Sequence, residues 1–146
     1  MIIDAHAHVG RGRYKTLDPD DLLRQMDAGG VDRAILCPVE EQIVVENRAG
    51  NDYLLAQTRR WPERFVGFAV ANPWWGPAAS AELERALGEG LRGVKFHPIY
   101  QGFSPNDPIV FPLIEIASRR GVPVYVHTGS AGFGEPFKLA ELARRY

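Results

Sequence analysis

Four histidines are the residues of this sequence with the clearest potential for chemistry. His6 and His8 are separated by one residue, His97 precedes a proline, and His127 follows an apolar run. In an extended strand, residues two apart project to the same side, so His6 and His8 can reach one metal ion. His127 would complete a set of three imidazoles, which suits zinc with an open coordination position. We therefore predict that His6, His8 and His127 bind a divalent metal, zinc being the favoured ion.

Lys95 and His97 share one face of the segment Gly93–Pro98. A lysine buried in a sheet is costly unless it forms an ion pair or has a function. Lys95 would therefore bind a substrate carboxylate or pair with an acid such as Asp4, and as a carbamate it could bridge two metals. His97 is predicted to line the substrate cavity and is our candidate catalytic residue.

Two other residues are candidates for substrate binding. Arg11 follows the first predicted strand and could bind an anionic substrate, although an exposed loop charge explains it as well. Trp74 follows the third predicted strand and could form an aromatic wall, although ordinary loop packing is an equal explanation.

All four histidines lie at or near the C-terminal ends of predicted strands, the face where barrel enzymes keep their active sites. These strands are short and rich in Val, Ile or Phe, and their starts are about 30 residues apart, the size of one β-α repeat. The five strands are Ile2–His8, Asp32–Pro38, Arg64–Ala71, Arg92–Pro98 and Pro123–Thr128.

Helix signals fill the intervals between the strands. Asp18 followed by Pro19 predicts a capped helix start, and Gly29-Gly30 predicts its end. Asn51 is predicted to cap the second helix, which ends at Pro62. A third helix is predicted to end at Gly88 or Gly90, and a fourth to end at Gly121. A fifth helix is predicted to start near Pro136.

Alternating strands and helices predict a parallel sheet covered on both faces, in a single α/β domain over residues 1–146. Two architectures remain open. A doubly wound five-stranded sheet fits the length, whereas a (β/α)8 barrel needs about 250 residues and eight strands.

Composition excludes several classes of protein. Lysine and arginine total 17 against 18 acidic residues, a net charge of −1, and binders of nucleic acid or membrane surfaces need a basic excess. Asp4 falls where the apolar part of an export signal would begin. The single cysteine, Cys37, cannot form an internal disulfide and fits a reducing compartment. We expect a cytoplasmic protein with a small-molecule substrate and no nucleic-acid or membrane partner.

Three segments in order, Asp4–His8, Gly93–Pro98 and Val126–Gly129, resemble those of the amidohydrolase superfamily. The most similar branch is the amidohydrolase-related group that includes aminocarboxymuconate-semialdehyde decarboxylase. This resemblance implies a TIM-type (β/α)8 barrel of which residues 1–146 supply the N-terminal five β/α units, and a metal held by His6, His8 and His127. The family also uses a histidine on strand six and an aspartate on strand eight, for which the sequence has no counterpart.

The resemblance implies a metal-dependent hydrolase that acts on a small, carboxylated substrate through a metal-activated water. The alternative is non-oxidative decarboxylation, a lyase reaction at the same metal site. A different class of alternative is a truncated, non-catalytic metal-binding fragment. Because five strands cannot close an eight-stranded barrel, we also expect weak activity of the chain alone and a homo-oligomer, or another association, that covers exposed sheet edges.

Overall fold

A computed structural model describes residues 1–129 and 132–146, and its central element is a parallel sheet in two three-stranded halves. The strands are β1 (Ile3–His8), β2 (Gly10–Arg11), β3 (Thr16–Leu17), β4 (Arg33–Cys37), β5 (Phe65–Gly67), β6 (Ala69–Val70), β7 (Val94–Phe96) and β8 (Val124–Val126). β2 and β3 form a small antiparallel hairpin, which the sequence did not predict.

The helices are α1 (Pro19–Gly29), α2 (Glu40–Val44), α3 (Asn47–Arg60), α4 (Pro77–Glu89), α5 (Pro98–Gln101), α6 (Phe111–Arg120) and α7 (Pro136–Arg145). The predicted alternation of strands and helices is confirmed. Within the described ranges, no helix combines the length and the apolar character that crossing a membrane requires.

The strand order decides between the two architectures. Parallel pairing runs β1-β4-β5 and then β6-β7-β8, so neighbours in the sheet are also neighbours along the chain. A doubly wound sheet reverses its strand order at a switch point, whereas a barrel keeps chain order. The structure is therefore part of a barrel, and the doubly wound alternative is wrong.

The predicted third strand, Arg64–Ala71, divides into β5 and β6 at Phe68. The amide of Phe68 donates to the carbonyl oxygen of Leu36 in β4, at 3.0 Å, while the amide of Ala69 donates to that of Gly93 beside β7, at 2.8 Å. Along the chain, the segment therefore pairs first with β4 and then with β7. It joins the two halves of the sheet.

Capping explains where α1 begins and ends. The side chain of Asp18 accepts a hydrogen bond from the amide of Asp20 at 2.9 Å, and Gly30 closes the helix with a left-handed backbone (φ 67°). The prediction for α3 is wrong, because that helix begins at Asn47, one turn before Asn51. Asn51 is fully buried inside the helix and bonds to the sheet instead of capping.

The core lies between the sheet and its helices. Its fully buried aliphatic side chains come from both layers, and burying each one stabilises the fold by about 1.5–3 kcal/mol. Examples are Leu36, Leu54, Leu83, Val94 and Leu113. This core fixes the strands whose C-terminal ends carry the histidines.

Candidate active site

His6 and His8 lie together at the C-terminal end of β1. The pairing of β1 with β4 contains an irregularity between Asp4 and Ala7, where β1 has one residue more than its partner strand. Such a bulge re-aims nearby side chains. The ring centroids of His6 and His8 are 4.6 Å apart. Nδ1 of His8 donates to the carbonyl oxygen of Pro38 at 2.7 Å, which leaves the lone pair of its Nε2 free.

His97 and His127 form a second pair at the ends of β7 and β8. Their rings stack with centroids 4.0 Å apart, and the ring of Tyr100 stacks on the other face of His97 at 3.9 Å. The backbone amide of Tyr100 donates to Nδ1 of His97 at 3.3 Å. Nε2 of a neutral His97 therefore carries the proton.

Lys95 lies beneath the histidines with no exposed surface. Its Nζ is 3.3 Å from Nε2 of His6 and 4.5 Å from the ring centroid of Tyr125. None of the ion pairs among the described residues involves Lys95, so the predicted salt bridge with Asp4 is not formed there. Burial lowers the pKa of Lys95 to about 8.

The electrostatic environment keeps the imidazoles neutral at pH 7. Burial, followed by the charge of Lys95, lowers the pKa of His6 to about 4. Burial and the neighbouring His127 lower the pKa of His97 to about 3. Burial also lowers the pKa values of His8 and His127. Neutral imidazoles are the form that binds metal ions.

The four histidines open into one cavity of about 480 Å³. Its lining residues are His6, His8, Lys15, Glu40, Ile43, His97, Ile99, Tyr100 and His127. Glu40, the first residue of α2, follows the second predicted strand and so lies on the same rim as the histidines, although a solvated loop charge explained it as well. Lys15, on the loop between β2 and β3, has no periodic or motif signal, because only the tertiary packing of the hairpin brings it to the histidines.

Two predicted substrate-binding residues lie elsewhere. Arg11 lines a separate cavity of about 740 Å³ beside α1. Trp74 is 57% exposed, donates through Nε1 to the carbonyl oxygen of Gln101 at 2.9 Å, and is not part of the cavity lining. The geometry therefore gives no support to Arg11 or Trp74 as substrate-binding residues, while His97 does line the cavity.

The cavity contains side chains that can bind a metal ion, but they are not arranged as a complete set of ligands. Across residues 1–129 and 132–146, no three His, Cys, Asp or Glu side chains are arranged to hold a metal ion. The donor chemistry nevertheless fits a divalent metal, because the imidazoles are neutral and Nε2 of His8 has no hydrogen-bond partner among the described residues. Nε2 of His6 is occupied by Lys95, so a metal bound there would replace that hydrogen bond.

Comparison with known proteins identifies relatives of the chain. A family model described as amidohydrolase matches residues 3–146. The chain is 33% identical over 137 residues to a gamma-resorcylate decarboxylase of Polaromonas sp., covering 79% of this chain and 40% of that protein. It is 24% identical over 120 residues to a 2-amino-3-carboxymuconate-6-semialdehyde decarboxylase of Dictyostelium discoideum, covering 75% of this chain and 33% of that protein. A Phenylobacterium zucineum protein named ferrochelatase is 28% identical over 151 residues, covering 97% of this chain and 43% of that protein.

Solved structures share the fold. A putative amidohydrolase from Staphylococcus aureus has a TM-score of 0.76 at 21% identity, covering 90% of this chain and 48% of that one. A dihydroxybenzoic acid decarboxylase from Polaromonas sp. JS666, solved with manganese and 2-nitroresorcinol, has a TM-score of 0.71 at 22% identity, covering 89% and 50%. The chain spans less than half the length of the curated relatives. Because the family model covers nearly every residue, the chain belongs to the amidohydrolase family.

Proposed function

We propose that this chain is part of a metal-dependent decarboxylase that releases CO₂ from a small carboxylated substrate without oxidation. The observation that carries the proposal is the convergence of four neutral imidazoles on one cavity at the C-terminal ends of the strands. Two curated relatives are named as decarboxylases, which favours this reaction over the hydrolysis that the sequence analysis placed first.

His6, His8 and His127 would hold the metal, in agreement with the sequence prediction. A bound divalent metal would supply positive charge that stabilises the negative charge left on the substrate carbon when its bond to the carboxylate breaks and CO₂ departs, and a proton from water would then take the place of the carboxylate. Zinc is the ion expected from three imidazoles, and manganese is present in the Polaromonas structure. The metal content of the chain after supplementation with each ion distinguishes zinc from manganese.

His97 is a hydrogen-bond donor to the substrate in this proposal, rather than an acid. Its Nδ1 already accepts the amide of Tyr100, so Nε2–H is the group available to the cavity. The lowered pKa of His97, about 3, leaves almost no imidazolium at pH 7. The ring also packs flat against His127 and limits the rotation of that proposed ligand.

Lys95 would act from below the cavity through its charge. It lies outside the lining residues, so direct contact with a substrate carboxylate, as the sequence analysis predicted, has no geometric support. An ammonium group enclosed by low-dielectric protein nevertheless raises the potential at the cavity floor and attracts an anionic substrate. Its contact with His6 also helps to keep that imidazole neutral.

The test measures metal content and CO₂ release separately. The purified chain is supplemented with zinc or manganese and dialysed, and metal per chain is measured by elemental analysis. We expect about one metal per chain, lost in the double variant His6→Ala/His8→Ala and retained in His97→Gln, which removes a histidine outside the proposed ligand set. Carboxyl-labelled 2,6-dihydroxybenzoate then reports CO₂ release.

The outcomes separate the competing functions. CO₂ release that requires His6 and His8 supports the decarboxylase. Acid release from a lactone or amide, with no CO₂ from any carboxylated substrate, would support hydrolysis instead. Metal uptake with neither CO₂ nor acid release would support the non-catalytic metal-binding fragment. A wild-type chain that takes up no metal after supplementation would contradict the proposed metal centre.

A further inference from the structure

We propose that Gln101 is a positioning residue that holds the imidazole of His97 in the one orientation and tautomer in which it offers an N–H group to the cavity. Gln101 is not among the residues that line the cavity, so it acts through His97 and does not touch a ligand. This inference rests on the proposed function, since it takes from there the role of His97 as a hydrogen-bond donor. The tautomer of His97 can nevertheless be measured without turnover.

His97 and Gln101 cap the start of α5 reciprocally. Nδ1 of His97, the residue before the first helical position, accepts a hydrogen bond from the backbone amide of Tyr100 at 3.3 Å. Oε1 of Gln101 accepts in turn from the backbone amide of His97 at 2.8 Å. The arrangement resembles a capping box, with an imidazole in place of the usual serine or threonine. Because only an unprotonated Nδ1 can accept, the cap selects the tautomer with its proton on Nε2.

The stacked rings alone do not select this orientation. The ring of His97 lies between those of Tyr100 and His127, at interplanar angles of 4° and 11°. A half-turn of the imidazole about its Cβ–Cγ bond would keep the ring in the same plane but exchange the positions of its edges. The bond from the amide of Tyr100 distinguishes the two orientations, so the cap decides which nitrogen faces the cavity.

The short helix α5 cannot maintain this cap without other contacts. It has four residues, and one helical turn fixes several backbone dihedral angles for a single hydrogen bond, so it is unstable in isolation. Nε2 of Gln101 donates to the carbonyl oxygens of Ile43 in α2 and Ala71 after β6, each at 3.1 Å. The side chain therefore attaches α5 to two elements that are distant along the chain.

Burial makes the bonds of Gln101 difficult to replace. The residue is 3% exposed, and both Oε1 and Nε2 have partners. If an apolar side chain replaced the amide, the backbone N–H of His97 would lose its partner in a buried place, which is unfavourable. A backbone shift that lets water reach this N–H group relieves the cost. The same shift moves His97 away from the amide of Tyr100.

The test reads the tautomer of His97 directly. ¹⁵N NMR spectra of the purified, histidine-labelled chain are recorded at about pH 8, above the ordinary pKa of histidine. The two ring nitrogens of a single tautomer have widely separated resonances, and the separation narrows when both tautomers are populated. The resonances that are missing from His97→Gln identify His97. His8, whose Nδ1 donates to the carbonyl oxygen of Pro38, is the internal reference in every spectrum.

Each variant has a distinct expected spectrum, whereas the wild-type chain shows one His97 tautomer, protonated on Nε2. Gln101→Met, which keeps most of the volume, narrows the separation for His97 to that of a histidine in an unstructured peptide and leaves His8 unchanged. Gln101→Glu restores it, because a carboxyl group buried beside carbonyl oxygens stays protonated and keeps an acceptor and a donor. Asn51→Ala is the control: it removes a buried amide that bonds to Val70, so it lowers stability without changing the His97 tautomer.

A wide separation for His97 in folded Gln101→Met would overturn the positioning role. Equal narrowing in Asn51→Ala would also overturn it, since general loosening of the fold would then be the cause. So would a wild-type His97 that is protonated on Nδ1 or populates both tautomers. Thermal unfolding confirms that each variant is folded. Should Gln101→Met not fold, Gln101→Asn replaces it with the same expected narrowing, because the shorter side chain cannot span the same partners.

Release of CO₂ is a separate readout. In a chain that releases CO₂, we expect Gln101→Met to lower kcat about tenfold and to have no further effect in the His97→Gln background, because both changes remove the same oriented donor. Additive losses would mean that Gln101 acts on something other than His97 and would contradict the inference. A chain that releases no CO₂ would overturn the proposed function even where the NMR pattern holds.

Discussion

Lys95 carries an ammonium group into the interior of the sheet, where it contacts an imidazole and an aromatic ring. Removing a charge from water costs several kcal/mol unless a counter-charge repays it. Among the described residues, no carboxylate pairs with Lys95, and burial lowers its pKa. The fold therefore contains a residue that reduces stability, which is the pattern expected of a functional group.

This cost makes a prediction about stability. Lys95→Met keeps most of the volume and removes the charge, so we expect the free energy of unfolding at pH 7 to rise by about 1–3 kcal/mol. Urea denaturation measures the change. Lys15→Met is the matched control, since Lys15 is exposed and forms no ion pair among the described residues, and it should change stability by less than about 0.5 kcal/mol. A less stable Lys95→Met variant would mean that the ammonium has a compensating partner.

At the scale of elements, Asn51 connects two helices to the sheet. Its Nδ2 donates to the carbonyl oxygen of Val70 at 3.0 Å and to Glu82 of α4 at 2.8 Å. Its Oδ1 accepts from the amide of Val70 at 2.8 Å. The side chain thus satisfies both backbone groups of Val70, at the end of β6.

Asn51→Ala should therefore destabilise the fold more than loss of one hydrogen bond would. Both polar groups of Val70 would be buried without partners, at about 1–3 kcal/mol each, so we expect a loss of about 2–4 kcal/mol in the free energy of unfolding. Asn106→Ala is the control, because Asn106 bonds to Glu141 at an exposed site. A loss below about 1 kcal/mol for Asn51→Ala, measured by urea denaturation, would indicate that water replaces the side chain.

Asn51 also illustrates what local sequence does and does not determine. Asp18 and Gly30 act within one helix turn of their own positions, so the bounds of α1 followed from residue type. The partner of Asn51 is Val70, far along the chain, and an asparagine before an apolar stripe is equally typical of a cap.

The same distinction holds at the candidate site. Alternation within β1 is local, which is why His6 and His8 were predicted to lie together, and their rings are adjacent. The cavity wall depends on the hairpin meeting α2, and the residues between Gly10 and Leu17 contain no pattern that specifies that contact. Lys15 could therefore be found only from the folded chain.

At the scale of the whole molecule, the sheet curls until its first and last strands face each other. The ring of His6 in β1 lies 4.7 Å from that of Tyr125 in β8, measured between centroids. Within the described residues, no strand pairs with the outer edge of β1 or of β8. Ile3 on β1 is 47% exposed. Unpaired strand edges with apolar side chains are templates for pairing with another chain.

We therefore expect the purified chain to self-associate through these edges, as the sequence analysis predicted. Ile3→Lys should shift the molecular mass measured by light scattering toward the monomer, because a charge on an edge opposes strand pairing. Val45→Lys is the control, since Val45 is 62% exposed but lies at the end of α2, away from the strand edges. A wild-type chain that is monomeric at all concentrations would contradict this prediction.

Gly12 couples movement of the hairpin turn to movement of α2. Because the hairpin turn and the first turn of α2 are in contact there and are tied by Glu41, they must shift as one unit when the cavity mouth widens. Widening would then change the distance from that unit to the imidazoles without separating the hairpin from α2. A bulkier ligand would be accommodated by displacement of this part of the cavity wall as a whole.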